Sequence, residues 1–487
     1  MDYSLIGAVI LILFFGCSSS LPLPQDFSED VAPVELFRSP ANGDKASEAL
    51  SVNKDFYVVV IDAGSSHTDI FVYKWTSQKV NGSGLVTEEG KLICKPILSN
   101  FKDDPEAAGP ALRECIKFAS MEVPQSHQNS TKLLLGATAG MRVVASNNAT
   151  TAKAILRSVA DFARNNFPFQ VSYNDIHILS PENEGGFSWL AINYIKGILQ
   201  ENAKYAAAER KTTWGSMDVG GASTQFSIEV EPDFYVPSSF QVRVFGHEYK
   251  VATRSFLCYG KNEAFRRYKA LLIRDHNFSE PVVDPCRPTG YDTTVKFHDH
   301  FHRPCSNVSV QRHHIKEAFK VVGGGDGKKC REMVQELFRQ TLDLEPSSCP
   351  FQDKLCSFAQ VKRGAVRGKF LGTGALYYDA KNLNILSNNS FSLNPFDAAG
   401  FRQARNSFCN KTHDEVEKLI TSRPELKNFF IRHCFDATYV EVLLMDVYSI
   451  DDEVLRDIVF AKNIDGVDVG WTLGWAIISA TDEPAVT

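Results

Sequence analysis

Apolar runs, alternations and helical spacings divide this chain into recognisable elements. Leu5 to Phe15 is almost wholly apolar and is followed by the small residues Gly16 to Ser20. Residues 21–53 mix Pro, Ser, Asp and Glu with no period, which predicts a flexible leader. Tyr57 to Ile61 is a continuous apolar run, the mark of a buried strand, and Lys132 to Leu135 reads the same way. Pro105 to Phe118 predicts a helix. So does Ala152 to Phe167, where Ile155, Val159, Phe162 and Ala163 recur at helical spacing. Phe187 to Leu199 predicts another, with Trp189, Ile192 and Ile195 turned to a core. Phe226-Ser227-Ile228-Glu229-Val230 alternates, as a strand does. Near the end, the Gly-rich stretch Asp465 to Trp475 leads into an apolar segment expected to fold back as a closing helix.

Two of these strands carry nearly the same words. Ile61-Asp62-Ala63-Gly64-Ser65-Ser66-His67-Thr68 and Met217-Asp218-Val219-Gly220-Gly221-Ala222-Ser223-Thr224 are each Asp-x-Gly, two small residues, a polar residue and Thr. Each predicts strand, tight turn, strand. Glycines let the turn approach a ligand closely, and successive N–H groups form a concavity suited to phosphate. The aspartates suit a hard cation that travels with phosphate. A single Asp-x-Gly-Ser is an ordinary hairpin turn. Two copies far apart imply related lobes facing one phosphate–metal site.

With 487 residues, the chain is long enough for about two or three domains. A net charge of −6 leaves no basic footprint, which excludes nucleic acid as the expected partner. The apolar start is short for a membrane span and ends in small residues, as a cleaved signal peptide does, although no Lys or Arg precedes it. The alternative is an uncleaved anchor. Cleavage would remove Cys17 and leave ten cysteines, an even number that predicts a disulfide framework in an exported chain. Close CxxC pairs, as zinc sites use, are absent from the sequence. Seven Asn-x-Ser/Thr sequons, at Asn81, Asn129, Asn148, Asn277, Asn307, Asn388 and Asn410, fit the same route. The expected product is a secreted, extracellular glycoprotein with no stable membrane insertion.

Three further motifs bear on the chemistry. Ser180-Pro181-Glu182-Asn183-Glu184-Gly185-Gly186 opens a helix; acidic residues there suit the helix dipole, which accounts for Glu182. Glu184 precedes two glycines that should leave its carboxylate uncovered toward a cleft. Gly323 to Lys329 resembles a phosphate loop only superficially, lacking its spacing and terminal Ser/Thr, and predicts a plain loop before Cys330. His298, His300 and His302 alternate, so on a strand they would share a face, yet a solvated loop is the expected state.

Taken in order, five segments resemble the signature regions of the ecto-apyrases, the nucleoside triphosphate diphosphohydrolase family. They are Ile61 to Thr68; Gly136-Ala137-Thr138-Ala139-Gly140-Met141-Arg142; Glu184-Gly185 with Trp189 and Asn193-Tyr194; Met217 to Gln225; and Trp471-Thr472-Leu473-Gly474. Ser255 to Ala264 and the cysteine count resemble the cell-surface branch. The resemblance spans Asp55 to Ile478. It implies an α/β fold of two ribonuclease-H-like lobes, in the actin, sugar-kinase and heat-shock ATPase group. The expected division is signal peptide 1–20, leader 21–53, lobe I 54–180 plus 462–480, and a disulfide-rich lobe II 181–461. Surface members carry a second membrane helix after the fifth region; the chain stops about where it would begin, so a soluble ectodomain is expected.

The same resemblance implies roles. Glu184 matches a general base for the attacking water, Thr138 and Ser223 match residues that hold that water, and Gln225 matches a group on the metal's hydration shell. Asp62 and Asp218 match aspartates that orient hydrated Ca²⁺ or Mg²⁺ through water, with Trp471 nearby. Amides of Gly64 to His67 and of Gly220, Gly221, Ala222 and Ser223 would cradle phosphates, with Ser65, Ser66 and His67 adding side-chain donors. Tyr378 aligns with an aromatic that stacks on the nucleobase. Phe429 stands where the family often has Arg, and Phe370 to Ala375 departs from the usual pattern, so base specificity is expected to be broad. By family order the cysteines pair Cys94–Cys115, Cys258–Cys305, Cys286–Cys330, Cys349–Cys356 and Cys409–Cys434. The substrates implied are nucleoside tri- and diphosphates. A kinase or chaperone of the same fold group fits an exported chain poorly; a membrane-anchored form and an inactive nucleotide-binding form stand as alternatives.

Overall fold

The computed structural model describes residues 54–236, 239–301, 305, 306, 310, 316–339, 368–383, 394–448, 450 and 452–481. Signal and leader, the Cys349–Cys356 pair, His302, and the sequons at Asn307 and Asn388 lie outside the described residues.

The chain folds around two sheets with one topology. In the first, β1 (Asp55–Ala63), β2 (Thr68–Thr76), β3 (Thr87–Cys94), β4 (Lys132–Ala137) and β5 (Ile176–Ile178) lie in the order β3-β2-β1-β4-β5. In the second, β6 (Gly215–Val219), β7 (Ser223–Glu229), β8 (Ser239–Val244), β9 (His247–Leu257), β10 (Phe370–Gly374), β11 (Asn394–Pro395) and β12 (Ile458–Phe460) lie in the order β8-β9-β7-β6-β10-β12-β11. Without its edge strands β8 and β11, the second sheet repeats the first. A hairpin β1–β2 or β6–β7 is followed by a strand antiparallel to it, then by two strands parallel to its first arm. The duplication expected from two short phrases thus extends through each lobe. The two Asp-x-Gly turns occupy equivalent hairpin tips, between Ala63↔Thr68 and between Val219↔Thr224.

Strands β1 and β4 are buried on two faces, which explains their unbroken apolar runs. Val59 and Ile61 join a core with Leu112, Ile116, Ile155 and Val159, while Val58 and Val60 face the opposite way. The second set meets α4 (Pro181–Ile195) and α8 (Trp471–Ser479), together with Phe240, Val242 and Tyr249 of the other sheet. One apolar cluster therefore joins the two sheets through two helices. The closing helix expected near the end is α8, and it packs on α4, β1 and β2.

Several elements differ from expectation. The segment from Pro105 breaks near Leu112, and the regular helix is α1 (Arg113–Glu122). The helix over Ala149–Asn166, α3, begins three residues early because Asn148 accepts a cap hydrogen bond from Thr151 N (3.1 Å). Helix α4 begins at Pro181 and ends at Ile195; Gly197, at φ +69°, separates it from a short turn of helix at Ile198–Asn202. Strand β7 alternates in sequence yet is buried throughout. Its Ser227 lies against Gly185 of α4, and its Glu229 is held by Thr213 (2.7 Å) and Arg210 (3.0 Å). Residues Phe297–His300 form a helical turn, not a strand or a solvated loop, and His300 inside it is shielded enough to lower its pKa to about 4. Gly327 starts a helix, Gly327–Arg339, so only residues 324–326 form a loop before it.

Among the described residues four cysteine pairs lie at bonding distance: Cys94–Cys115 (2.18 Å), Cys258–Cys305 (2.00 Å), Cys286–Cys330 (2.03 Å) and Cys409–Cys434 (2.00 Å). The sequon asparagines 81, 129, 148, 277 and 410 are exposed. Among the described residues no helix is long and apolar enough to cross a membrane.

Candidate active site

A cleft of about 400 Å³ opens between the two hairpin tips, within the size range of small-molecule sites. It is lined from one side by Asp62 and Gly64 to His67, and from the other by Asp218 to Ser223 with Gln225. Thr138, at the end of β4 and the start of α2 (Ala139–Asn147), borders it with Glu184 and Trp471. Residues far apart in the chain thus meet because both lobes deliver the same turn to the same gap.

Glu184 enters the cleft on the first turn of α4. Ser180 caps that helix through its hydroxyl to Asn183 N (3.1 Å), and Pro181 occupies the first turn, where no donor is lost. Glu184 and Gly185 both border the cleft, and the two glycines serve packing as well. A Cβ on Gly185 would stand 2.5 Å from Ser227 Oγ, and one on Gly186 would stand 2.1 Å from the Phe240 ring. They let α4 lie directly on the second sheet, which sets the depth of Glu184. Across the helix, a Cβ on Gly474 would meet Phe187 O at 2.1 Å, so α8 crosses α4 almost backbone to backbone.

The second phosphate-type turn is held from behind. The N-terminal amides of α5 (Lys261–Asp275) donate to its carbonyls: Lys261 N to Gly220 O (2.9 Å) and Asn262 N to Gly221 O (2.8 Å), with Cys258 N to Ala222 O (2.8 Å). Gly220 N is committed within the turn, to Ser223 O (3.0 Å), which removes it from the expected cradle. Gly260 has to be glycine, since its Cβ would stand 2.3 Å from Ala222 N.

The electrostatics are those of a site short of positive charge. Burial, then the negative charges of Glu184 and Asp69, push the Asp62 carboxyl well above its ordinary pKa; His67 and a Trp471 hydrogen bond act the other way. Burial raises Asp218 to about 6, against a hydrogen bond from Thr373 Oγ1 to its Oδ1 (2.7 Å). Asp62 Oδ1 has no hydrogen-bond partner, and neither does Gln225 Nε2. Buried carboxylates in that condition call for a cation or a proton. Among the described residues no three His, Cys, Asp or Glu side chains cluster closely enough to ligate an ion by themselves. His67 bonds Asp69 through Nε2 (3.1 Å), which raises its pKa above the ordinary value despite its burial, and its Nδ1 lies 3.0 Å from Ser66 Oγ.

Two functional candidates escaped sequence reasoning. Arg142, on α2, places its guanidinium 2.7 Å from Glu184 Oε2 and 3.4 Å from Ser223 Oγ. It ties a helix of the first lobe to α4 and to the second hairpin. Thr373, in the stretch that departs from the family pattern, orients Asp218, and Gly374 beside it, at φ +63°, has no room for a Cβ, which would crowd Val219 O and Asp218 Oδ1. The sequence reading included Arg142 only as the last residue of the second signature segment, with no role given to it.

Tyr378, on α6 (Ala375–Asn382), borders the cleft and is 38% exposed. Phe429, on α7 (Lys427–Glu441), does not line the cleft but reaches Tyr378, with ring centroids 6.4 Å apart and tilted by 49°. The rings are in contact, so a base entering between them has to part them. Lys261 sits 4.6 Å above Phe429 and 3.3 Å from Asp379.

A sequence model described as the GDA1/CD39 (nucleoside phosphatase) family matches residues 48–486. The chain is 31% identical over 438 residues to ectonucleoside triphosphate diphosphohydrolase 3 of Mus musculus, covering 88% of this chain and 79% of that protein. It is 31% identical to ectonucleoside triphosphate diphosphohydrolase 2 of Gallus gallus, covering 97% of this chain and 88% of that one. Among solved structures, nucleoside triphosphate hydrolases from Neospora caninum superpose with a TM-score of 0.62 at 15% identity, over 87% of this chain and 92% of theirs. That last likeness speaks to the two-lobed fold.

Proposed function

The chain belongs to the GDA1/CD39 nucleoside phosphatase family and is an apyrase-type nucleoside phosphatase; on that premise we propose that it hydrolyses extracellular nucleoside tri- and diphosphates to monophosphate. The observation that carries the reading is the meeting of Glu184, held by Arg142, with Thr138, Ser223 and both Asp-x-Gly turns in one cleft.

Glu184 serves as general base. Its carboxylate takes a proton from a water lying between it and the terminal phosphorus, and Arg142 holds that carboxylate in place. Thr138 and Ser223 hydrogen-bond the same water from opposite lobes. Donors of the first turn, with Ser65, Ser66 and His67, and amides of the second hold the phosphates so that attack is in line. The residues present fit a divalent cation, Ca²⁺ or Mg²⁺: Asp62, with its unpartnered oxygen, and Asp218 face the cleft from opposite lobes and would hold it through water, with Gln225 beside it. When bound, such an ion offsets negative charge on the phosphate oxygens. Tyr378 would stack on the base, with Phe429 on its far side. Either of two phosphates can occupy the cleavage position, so a diphosphate product is again a substrate.

Secretion and glycosylation belong to the same proposal. Support comes from the paired cysteines, the exposed sequons and the ecto- prefix in the relatives' names. Purified protein should release phosphate from both ATP and ADP when Ca²⁺ or Mg²⁺ is present, and stop in excess EDTA. No phosphate release from either nucleotide would end the proposal.

A further inference from the structure

Behind the two hairpin tips lies a second cleft of about 590 Å³. It meets the active cleft at Ser65 of the first turn and Ala222 of the second, each of which borders both spaces. Its walls again come from both lobes: Lys102 and Gly140 from the first, Arg266 and His298 from the second. The partition between the clefts is thin. A Cβ on Gly221 would stand 2.6 Å from Ser65 Oγ, so a serine hydroxyl against bare backbone forms part of it. Lys102 and Asn147 at the far rim are exposed, which opens this cleft to solvent.

Under the proposed reaction, two anions share the active cleft after each cleavage. The orthophosphate lies on the Glu184 side, and the shortened nucleotide stands between it and the base site at Tyr378. Like charges at that range repel strongly where water is scarce. From these geometries we infer that orthophosphate leaves through the rear cleft, past Ser65 and Ala222, while nucleotide still occupies the front. This rests on the hydrolytic reading above. The walls of the rear cleft suit passage. Lys102 and Arg266 attract a phosphate anion and the His298 ring offers it a hydrogen bond, whereas Asp103 and Glu263, the latter paired with Arg266, prevent its capture. A diphosphate left in front can then shift and be cut again without first dissociating.

Product inhibition separates the routes. With ATP varied and orthophosphate added to the full-length protein, rear exit lets phosphate bind enzyme that already holds nucleotide, so inhibition is mixed. Exit by the front alone makes phosphate the last product to leave and its inhibition purely competitive. Filling the rear cleft with Asn147→Trp, which leaves the Asn148 sequon intact, should slow steady-state turnover several-fold and turn mixed inhibition competitive. The single-turnover rate of phosphate formation should not change. Lys102→Ala, a milder change at the rim, should weaken phosphate inhibition several-fold without altering that rate. Competitive inhibition of the unmodified protein, or a pattern that neither variant alters, overturns the inference. A protein forming no phosphate in a single turnover fails the proposed function instead.

Discussion

The carboxylate of Glu184 is 12% exposed and its Arg142 partner 11%, so each depends on the other. Glu184→Gln keeps the shape but cannot accept a proton. We expect turnover to fall by about 10²–10⁴ while nucleotide binding, followed by calorimetry, is retained; near-normal turnover would remove Glu184 from the chemistry. Arg142 acts through Glu184 and is a positioning residue. Arg142→Ala should lower kcat far more than it raises KM, and Arg142→Lys should recover only part, because an ammonium lacks the planar fork that reaches Glu184 and Ser223 with one nitrogen and Leu179 O with the other. If Ala and Lys behave alike, the contact is merely structural. Residues in short phrases were legible: Asp62, Ser65, Asp218 and Ser223 announce themselves by spacing. The roles of Arg142, the last residue of another such phrase, and of Thr373 were not legible, since their partners are brought by the fold from other elements, and no local pattern records that.

Among the elements, α4 decides the most. It lies between the sheets, carries Glu184 on its first turn and meets the second sheet at Gly185 and Gly186, where no side chain stands between. Gly186→Val places methyl groups where the Phe240 ring stands, and overpacking of this kind costs about 1–3 kcal/mol. The expected result is a lower urea midpoint together with a loss of activity greater than that stability change explains, because α4 must shift and take Glu184 with it. Unchanged activity in the still-folded variant would count against α4 as the element that sets the base. Long periodic segments such as α3 were readable from apolar spacing alone. The ends of α4 were not: its start depends on a serine cap, and its stop on one glycine in a left-handed turn. Strand β7 misled for a different reason. Its alternation suggests one wet face, yet Ser227 and Glu229 are covered by α4 and by a buried ion pair.

At the scale of the molecule, the cleft concentrates acid, and this couples pH to cation binding. In the folded chain Asp218 keeps its proton up to about pH 6 instead of its ordinary 3.8. The fold thus binds that proton more tightly than the unfolded chain does. Stability from it is full below 3.8 and is lost as pH rises through about 6. Asp62, also raised, acts in the same sense. Without divalent ion, the melting temperature should therefore fall across that window relative to Asp218→Asn. Added Ca²⁺ or Mg²⁺ should restore it mainly above pH 6, where the carboxylate is charged and able to attract the ion. A cation response of equal size at every pH, or one kept in full by Asp218→Asn, would contradict the two-aspartate site. The doubling of the fold was visible from two eight-residue phrases. How far it extends was not, because strands β3 and β9, or β4 and β10, share topology without sharing words.

The crossing of Gly474 over Phe187 also sets the order in which the molecule can be made. Trp471 and the rest of α8 leave the ribosome after every strand of both sheets, yet α8 completes the apolar cluster that joins them. Until it arrives, Val58, Val60 and Leu134 lack their cover, and Trp471 is missing beside Asp62. A nascent chain halted before residue 471 should remain open to protease and chaperone. The cleft closes only after both sheets are made, and hydrolysis waits on α8.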